Sequence, residues 1–338
     1  MLRYITVLSL MAIRLSGQLP APPAQPLTGP GGQDYLYPSY QKLGPYFVNP
    51  KDPEPYTAFY ILEPAGGTRP ASLPAALFLH GYLVPGEGYP LGDSPDTYLY
   101  WLAHLARMGY TVVFPAYDYR QPPRNFSANI IQSWHAALQL LASRRPGLIP
   151  PAADSRGIET VFAGHSMGAV QCFAVAQQLS VSPVDGVPLP RAIAAFSPGI
   201  GRSAISTDFS SISTTIRVVV AHGDQDTNNS ATVAAIWNSL KRAVAAANRD
   251  LLLVNSDFHG SPAQVGNHFF PDTNGYGDGG SGVDDRDYNV TWKLSVGLFN
   301  CALHGADCSY GLGHGSADQV NMGSWSDGKP VTPLTLQP

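Results

Sequence analysis

The sequence has few charges and few cysteines, and none of its apolar runs is long enough to cross a membrane. Lys, Arg, Asp and Glu make up 13% of the 338 residues, and the formal net charge is -4. Because no block of basic residues stands out, we expect no nucleic-acid partner. Hydrophobic residues make up 44%, which is too many for a disordered chain and predicts a globular protein with a sizeable core.

The first residues predict an export signal. The positive residue Arg3 precedes an apolar stretch at residues 5–13, and the small residues Ser16 and Gly17 follow, where cleavage is expected. The apolar stretch is too short to span a bilayer. We therefore expect residues 1–17 to be a signal peptide and the mature protein to be secreted or periplasmic, without an integral membrane span. A frayed N-terminal segment is the alternative.

The three cysteines fit this interpretation. Cys301 and Cys308 are close in sequence, and in an exported protein they are expected to form a small disulfide loop. Such a loop contributes about 2–3 kcal/mol by the loop-entropy estimate. Two reduced thiols are the alternative. Cys172 falls within a predicted helix and is expected to be a buried core residue.

The chain is predicted to consist of an arm and one domain. Residues 18–55 are rich in proline, glycine and tyrosine and predict an extended arm. Residues 56–338 are predicted to form a single domain, with a C-terminal extension that begins at about residue 263. Short apolar runs typical of buried strands occur at residues 75–80, 111–114, 160–163, 192–196, 217–221 and 251–254.

Segments with helical periodicity lie between these runs, for example "TYLYWLAHLARMG" and "GAVQCFAVAQQL". Strands that alternate with helices predict an α/β fold with a mostly parallel central sheet covered by helices on both faces. Another helix is expected near residues 288–301. Only about twenty residues separate the strands at 192–196 and 217–221, which is too few for a large helical cap and predicts an open site.

The stretch "VFAGHSMGAV" places Ser166 between Gly164 and Gly168, directly after a predicted strand and before a predicted helix. A strand that turns sharply into a helix brings backbone and side chains into collision, and glycine removes the offending Cβ atoms. The serine then adopts a strained conformation with its oxygen clear of the sheet. This pattern predicts Ser166 to be a nucleophile.

A serine nucleophile needs a base and an acid, and in this chain order both follow later strands. "HGDQD" ends one strand and offers Asp224 and Asp226, of which Asp226 is favoured because it lies further into the loop. "DFHGS" follows the next strand and offers His259 as the base, with Asp257 as a less favoured acid. His268, in the extension, is not predicted to take part.

The predicted reaction also needs donors for the negative oxygen of a tetrahedral intermediate. One is expected to be the backbone N–H of Met167, at the start of the helix after Ser166. The second is expected to be the N–H of Tyr82, which follows the strand and glycine turn "FLHG". No metal or organic cofactor is needed for this chemistry, and we expect none.

With "HGY", "GHSMG", "HGDQD" and "DFHGS", residues 56–262 resemble the α/β-hydrolase family. Among its members, the chain is similar to secreted lipases, cutinases and polyester hydrolases. The resemblance implies the triad Ser166, Asp226 and His259, the oxyanion donors Tyr82 and Met167, and hydrolysis of small-molecule, lipid or polymer esters through an acyl-enzyme. Hydrolysis of amide or peptide bonds by the same triad, and a non-catalytic binding protein on the same fold, are the alternatives.

One polar, glycine-rich stretch in the extension, "PDTNGYGDGGSGVDDRD", concentrates carboxylates and amides. Such oxygen ligands on a flexible loop are what calcium prefers. The spacing does not match an EF-hand loop, because position 5 is Tyr276 and position 12 is Val283. We therefore expect a solvated loop, with calcium as the less favoured alternative.

Overall fold

The computed structural model describes residues 19–82, 94–274 and 282–338. The predicted signal peptide lies outside these residues, as do residues 275–281 of the glycine-rich stretch. The strands are β1 (Ser39–Phe47), β2 (Ala58–Ala65), β3 (Ala75–Leu79), β4 (Thr111–Pro115), β5 (Ala153–Asp154), β6 (Gly157–Ile158), β7 (Thr160–His165), β8 (Ala192–Phe196), β9 (Arg217–Gly223), β10 (Arg249–Val254) and β11 (Thr335–Gln337).

The α-helices are α1 (Leu99–Arg107), α2 (Phe126–Ala142), α3 (Met167–Val181), α4 (Ser230–Ala243), α5 (Lys293–His304), α6 (Cys308–Gly311) and α7 (Ala317–Val320). A π-helical segment (Asp287–Trp292) leads into α5. Each of the six strands predicted from apolar runs is present. The helices predicted between them correspond to α1 to α4, and the helix expected near residues 288–301 corresponds to α5 and its π-helical lead.

Nine strands form one sheet in the order β1-β2-β4-β3-β7-β8-β9-β10-β11. The six inner strands from β4 to β10 pair in parallel, whereas β1, β2 and β11 pair antiparallel. β5 and β6 form a separate two-stranded pair. The carboxyl ends of the six parallel strands therefore lie on the same side of the sheet. Open α/β sheets place their sites beyond these strand ends.

Helices cover both faces of the sheet, as the alternating pattern predicts. One core cluster packs α2, α3 and α4 against side chains such as Leu77, Phe162 and Val220. The other packs α1 and α5 against the opposite face, against side chains such as Phe78, Ala194 and Val219. Both clusters are formed by consecutive residues of the same strands, since alternate side chains point to opposite faces.

The two ends of the chain are more closely integrated than predicted. The prediction of an extended arm over residues 18–55 is wrong in part, because β1 lies within it and pairs with β2 as the edge strand of the sheet. This pairing covers the edge of a strand whose side chains are nearly all buried. The C-terminal extension supplies α5 to one face and β11 to the other edge. Within it, Cys301 and Cys308 form the predicted disulfide.

Candidate active site

Ser166 occupies the turn between β7 and α3 with a positive φ of 54° and a ψ of -122°. Non-glycine residues rarely adopt this backbone conformation. The two flanking positions are glycine because neither has room for a Cβ atom. A Cβ on Gly164 would lie 2.7 Å from the carbonyl group of Gly168, and a Cβ on Gly168 would lie 2.0 Å from the carbonyl oxygen of Leu79. The turn is therefore as tight as the spacing of the glycines predicts.

The serine hydroxyl contacts an imidazole, and the imidazole contacts a carboxylate. His268 Nε2 lies 2.8 Å from Ser166 Oγ, and His268 Nδ1 lies 2.9 Å from Asp226 Oδ2. The three side chains come from loops after β7, β9 and β10, so the topology of the sheet brings them to one edge. The imidazole is partly exposed, whereas the carboxylate of Asp226 is almost fully buried.

The charge on Asp226 is stabilised by its neighbours. Burial raises the pKa of this carboxyl group, but hydrogen bonds from His268 and Asn229 outweigh burial, and the pKa lies below its ordinary value. Asn229 Nδ2 donates to Asp226 Oδ1 over 2.7 Å. Asp226 is therefore ionised near neutral pH, and its charge can orient the ring and stabilise the imidazolium form.

The prediction that His259 is the base beside Ser166 is wrong. His259 Nε2 lies 2.7 Å from Asp327 Oδ2, and its ring packs edge-on against Trp325. Asp257 and Gln264 exchange backbone hydrogen bonds of 2.7 and 2.8 Å, which close a loop with His259 near its tip. The ring of His259 therefore faces the C-terminal segment and contacts Asp327 and Trp325 rather than Ser166.

After this loop the chain returns to the sheet, and the return positions His268. The N–H of Gln225 donates to the carbonyl oxygen of Gly266 over 2.8 Å. A Cβ on Gly223 would lie 1.9 Å from that same oxygen, so the two segments are in close backbone contact. His268, two residues later, therefore lies beside Asp226. Gly266 in "GNHFF" is a trace of this contact in the sequence, since a Cβ there would lie 2.3 Å from the carbonyl oxygen of Val254.

The competing aspartates are bonded elsewhere. Asp224 accepts hydrogen bonds from the backbone N–H and the hydroxyl of Ser256, at 3.0 and 2.6 Å, and so joins the loops after β9 and β10. Asp257 accepts from the backbone N–H and the hydroxyl of Thr332, both at 2.9 Å. Of the acids considered from the sequence, Asp226 alone contacts the histidine that reaches Ser166.

The predicted oxyanion donors border the serine. Met167 is the first residue of α3, and the first N–H groups of a helix have no acceptor within the helix. Gly81 lies on the other side, because a Cβ there would be 3.3 Å from the Cβ of Ser166. Tyr82 follows it, is 39% exposed and packs against Phe126. Tyr82 and Met167 line the same cavity as Ser166.

Two buried side chains, Tyr98 and His165, connect the backbone of Gly81 to the backbone of His268. The N–H of Gly81 donates to the hydroxyl of Tyr98 over 3.0 Å, and this hydroxyl lies 2.8 Å from His165 Nδ1. His165 Nε2 donates to the backbone carbonyl oxygen of His268 over 2.8 Å. Asp272 Oδ1 lies 3.3 Å from His165 Nδ1. Tyr98, His165 and Asp272 are not among the residues predicted from the sequence to take part in the site.

Ser166 and His268 line one end of a cavity of about 1140 Å³. No group of three or more His, Cys, Asp or Glu side chains in residues 19–82, 94–274 and 282–338 is placed to hold a metal ion. The loop considered for calcium is described only at its ends, since residues 275–281 lie outside the described residues. No helix in the described part of the chain is long and apolar enough to cross a membrane.

The geometry permits nucleophilic catalysis. An imidazole nitrogen within hydrogen-bond reach of a hydroxyl can take its proton, and a carboxylate on the other nitrogen stabilises the charge that results. A scan against models of known protein families and a search of curated proteins both find no match for the chain. The chemistry of the site is therefore inferred from its own geometry.

Proposed function

We propose that the protein is a serine hydrolase of the α/β-hydrolase type, which cleaves carboxylic esters through an acyl-enzyme intermediate. The observation that carries this proposal is the continuous pair of contacts from Ser166 Oγ to His268 and from His268 to Asp226, at 2.8 and 2.9 Å. The parallel sheet and the strained serine turn at the carboxyl end of β7 support the fold assignment.

In the first half of the proposed reaction, Ser166 Oγ attacks the ester carbonyl carbon while His268 Nε2 takes the hydroxyl proton. Asp226 accepts a hydrogen bond from Nδ1–H of His268 and stabilises the imidazolium. The N–H groups of Met167 and Tyr82 hold the oxyanion of the tetrahedral intermediate. When the intermediate collapses, the bond to the alcohol oxygen breaks and His268 gives its proton to that oxygen.

In the second half, water attacks the acyl-enzyme as His268 takes one of its protons. The second tetrahedral intermediate releases the carboxylic acid, and the proton returns to Ser166. Each step uses groups of this chain and water only. The proposed location outside the cytoplasm rests on the sequence of residues 1–17 and is supported by the disulfide, since such bonds persist in oxidising compartments.

Hydrolysis of p-nitrophenyl acetate tests the proposal. We expect Ser166→Ala to lower kcat/KM by more than about a thousandfold, since the triad acts as one unit. Ser182→Ala is the matched control, because Ser182 lines the same cavity at its far end. Equal rates for Ser166→Ala and wild type would contradict the proposal. A faster reaction with an aminoacyl p-nitroanilide than with the ester would favour an amide hydrolase instead.

A further inference from the structure

The cavity at Ser166 continues along one side of α3. The residues of α3 that line it include Met167, Gln171, Ala174, Gln178 and Val181. Their spacing of four, three, four and three residues places them on a single face of the helix. Ser166 and His268 lie at the start of this face, so a molecule bound at the serine can continue along the helix. We call this surface the α3 groove.

The length of the α3 groove follows from helix geometry. From Met167 to Val181 the helix rises by about 21 Å, at about 1.5 Å for each residue. An extended carbon chain advances by roughly 1.25 Å per bond, given carbon–carbon bonds of about 1.5 Å. The groove is therefore as long as about 16 carbon–carbon bonds, and a short ester would fill only its first part.

Much of the lining is apolar. Ile200, Ile205 and Phe209 come from the segment after β8 and face the cavity together with Met167 and Ala174. Val181, at the far end, is 64% exposed. A side chain of this kind is stabilised when an aliphatic group covers it, because apolar surface is then removed from water.

Two of the glutamines in the α3 groove are already hydrogen-bonded within the protein. Gln171 accepts from the hydroxyl of Ser127 over 2.7 Å. Gln177 donates to the carbonyl oxygen of Asp208 over 3.0 Å and accepts from the N–H of Ser211 over 2.9 Å. An aliphatic ligand would not leave these amides without partners, so covering them carries little penalty.

We infer that the substrate is an ester with one extended aliphatic chain, and that this chain lies in the α3 groove while the ester carbonyl is at Ser166. The inference rests on the proposed ester hydrolysis and names its substrate class. The chain can belong to the acid or to the alcohol, and both have the same chemistry in the groove. Long-acyl and long-alkoxy esters distinguish them.

Obstruction of the groove tests the inference. Ala174 lies seven residues after Met167, about 10 Å along the helix, so Ala174→Phe leaves room for about eight carbons. We expect this variant to lower kcat/KM at least about tenfold for p-nitrophenyl palmitate if the acyl chain lies in the groove, or for hexadecyl acetate if the alcohol chain lies there, and to change kcat/KM for p-nitrophenyl acetate less than about twofold. Ala235→Phe adds the same ring at an exposed position on α4, outside the cavity, and is the matched control.

Thermal melting of each variant shows whether the fold is intact. Should Ala174→Phe fail to fold, Gln178→Trp provides a second obstruction at an exposed position one turn further along the groove. The rates of wild type and Ala174→Phe are also compared on ethyl palmitate, hexadecyl acetate and ethyl acetate. Selective loss with ethyl palmitate places the acyl chain in the groove, and selective loss with hexadecyl acetate places the alcohol chain there; both results support the inference.

The outcomes separate the inference from the function on which it rests. If wild type hydrolyses p-nitrophenyl acetate in a Ser166-dependent manner but prefers no long-chain ester, the inference is overturned and ester hydrolysis stands. The inference is also overturned if Ala174→Phe slows ethyl palmitate, hexadecyl acetate and ethyl acetate equally, or leaves the rates with both long-chain esters unchanged. If acetate hydrolysis does not depend on Ser166, the proposed function fails and the inference falls with it.

Discussion

The imidazole of His165 holds the backbone of His268: His165 Nε2 donates to the carbonyl oxygen of His268 over 2.8 Å. The same ring contacts the hydroxyl of Tyr98 over 2.8 Å, and that hydroxyl accepts from the N–H of Gly81. Tyr98 and His165 are both buried. One buried pair therefore links the loop that carries the proposed base to the backbone next to Tyr82.

Removal of the Tyr98 hydroxyl should loosen both loops. Tyr98→Phe leaves the N–H of Gly81 and Nδ1 of His165 without this partner, at a cost of about 1–3 kcal/mol. We expect kcat for p-nitrophenyl acetate to fall roughly tenfold with little change in KM, because the reacting groups lose alignment and the substrate surface does not change. Steady-state kinetics with thermal melting measures both effects.

A second buried tyrosine provides the control. Tyr110 donates from its hydroxyl to Asn300 Oδ1, on the face of the sheet that α5 covers. Tyr110→Phe should lower the melting temperature without changing kcat. If Tyr98→Phe lowers the melting temperature but leaves kcat at the wild-type value, as expected for Tyr110→Phe, the hydroxyl of Tyr98 contributes only to stability.

A methyl group at Gly168 should displace α3. The added Cβ would lie 2.0 Å from the carbonyl oxygen of Leu79 and 2.4 Å from that of His80. We expect Gly168→Ala to lower the free energy of unfolding by about 3 kcal/mol, at the upper end of overpacking effects, and to abolish ester hydrolysis because Ser166 moves with the helix. Denaturant unfolding and kinetics are the measurements. Gly282→Ala, where an added Cβ meets no atom within 4 Å, should change neither; a stable, active Gly168→Ala protein would contradict the tight turn.

Stability should depend on the protonation of Asp285. Burial raises the pKa of this carboxyl group from its ordinary value of 3.8 to about 7, against a hydrogen bond from Asn289. Because the pKa is raised in the folded state, the protonated carboxyl group of Asp285 stabilises the fold. This stability is fully present below about pH 4 and is lost as the pH rises through 7.

Replacement of this carboxyl group by an amide removes the titration. Asp285→Asn should raise the melting temperature at pH 8 by several degrees and leave it nearly unchanged at pH 4, since each pKa unit corresponds to about 1.4 kcal/mol. The exposed Asp52→Asn is the control and should have no effect at either pH. A melting temperature of Asp285→Asn that equals wild type at pH 8 would show that the buried carboxyl group carries no such penalty.

Local sequence patterns predicted the central part of the molecule. The six inner strands are short, continuous apolar runs, and helices between consecutive strands account for their parallel pairing except at β8 and β9. Ser166 could be identified because the constraint at its turn is local and Gly164 and Gly168 record it. Asp226 could be identified because it lies within a few residues of the end of β9.

The base and the edge strands could not be found in this way. His268 reaches Ser166 only because the chain leaves the sheet, closes a loop at Asp257 and Gln264, and returns through a backbone contact at Gly266. The path of such a loop is set by tertiary hydrogen bonds and leaves no periodicity in the sequence. β1 was likewise hidden, because edge strands are half exposed and this one includes Gly44 and Pro45.

The choice between the two histidines is the most direct test of the account. His268→Ala and His259→Ala are compared with wild type in the hydrolysis of p-nitrophenyl acetate, with melting curves to confirm that both variants fold. We expect His268→Ala to lower kcat by more than about a thousandfold and His259→Ala to retain kcat within about twofold, because of these two histidines only His268 contacts Ser166. Loss of activity in His259→Ala, with activity retained in His268→Ala, would contradict it.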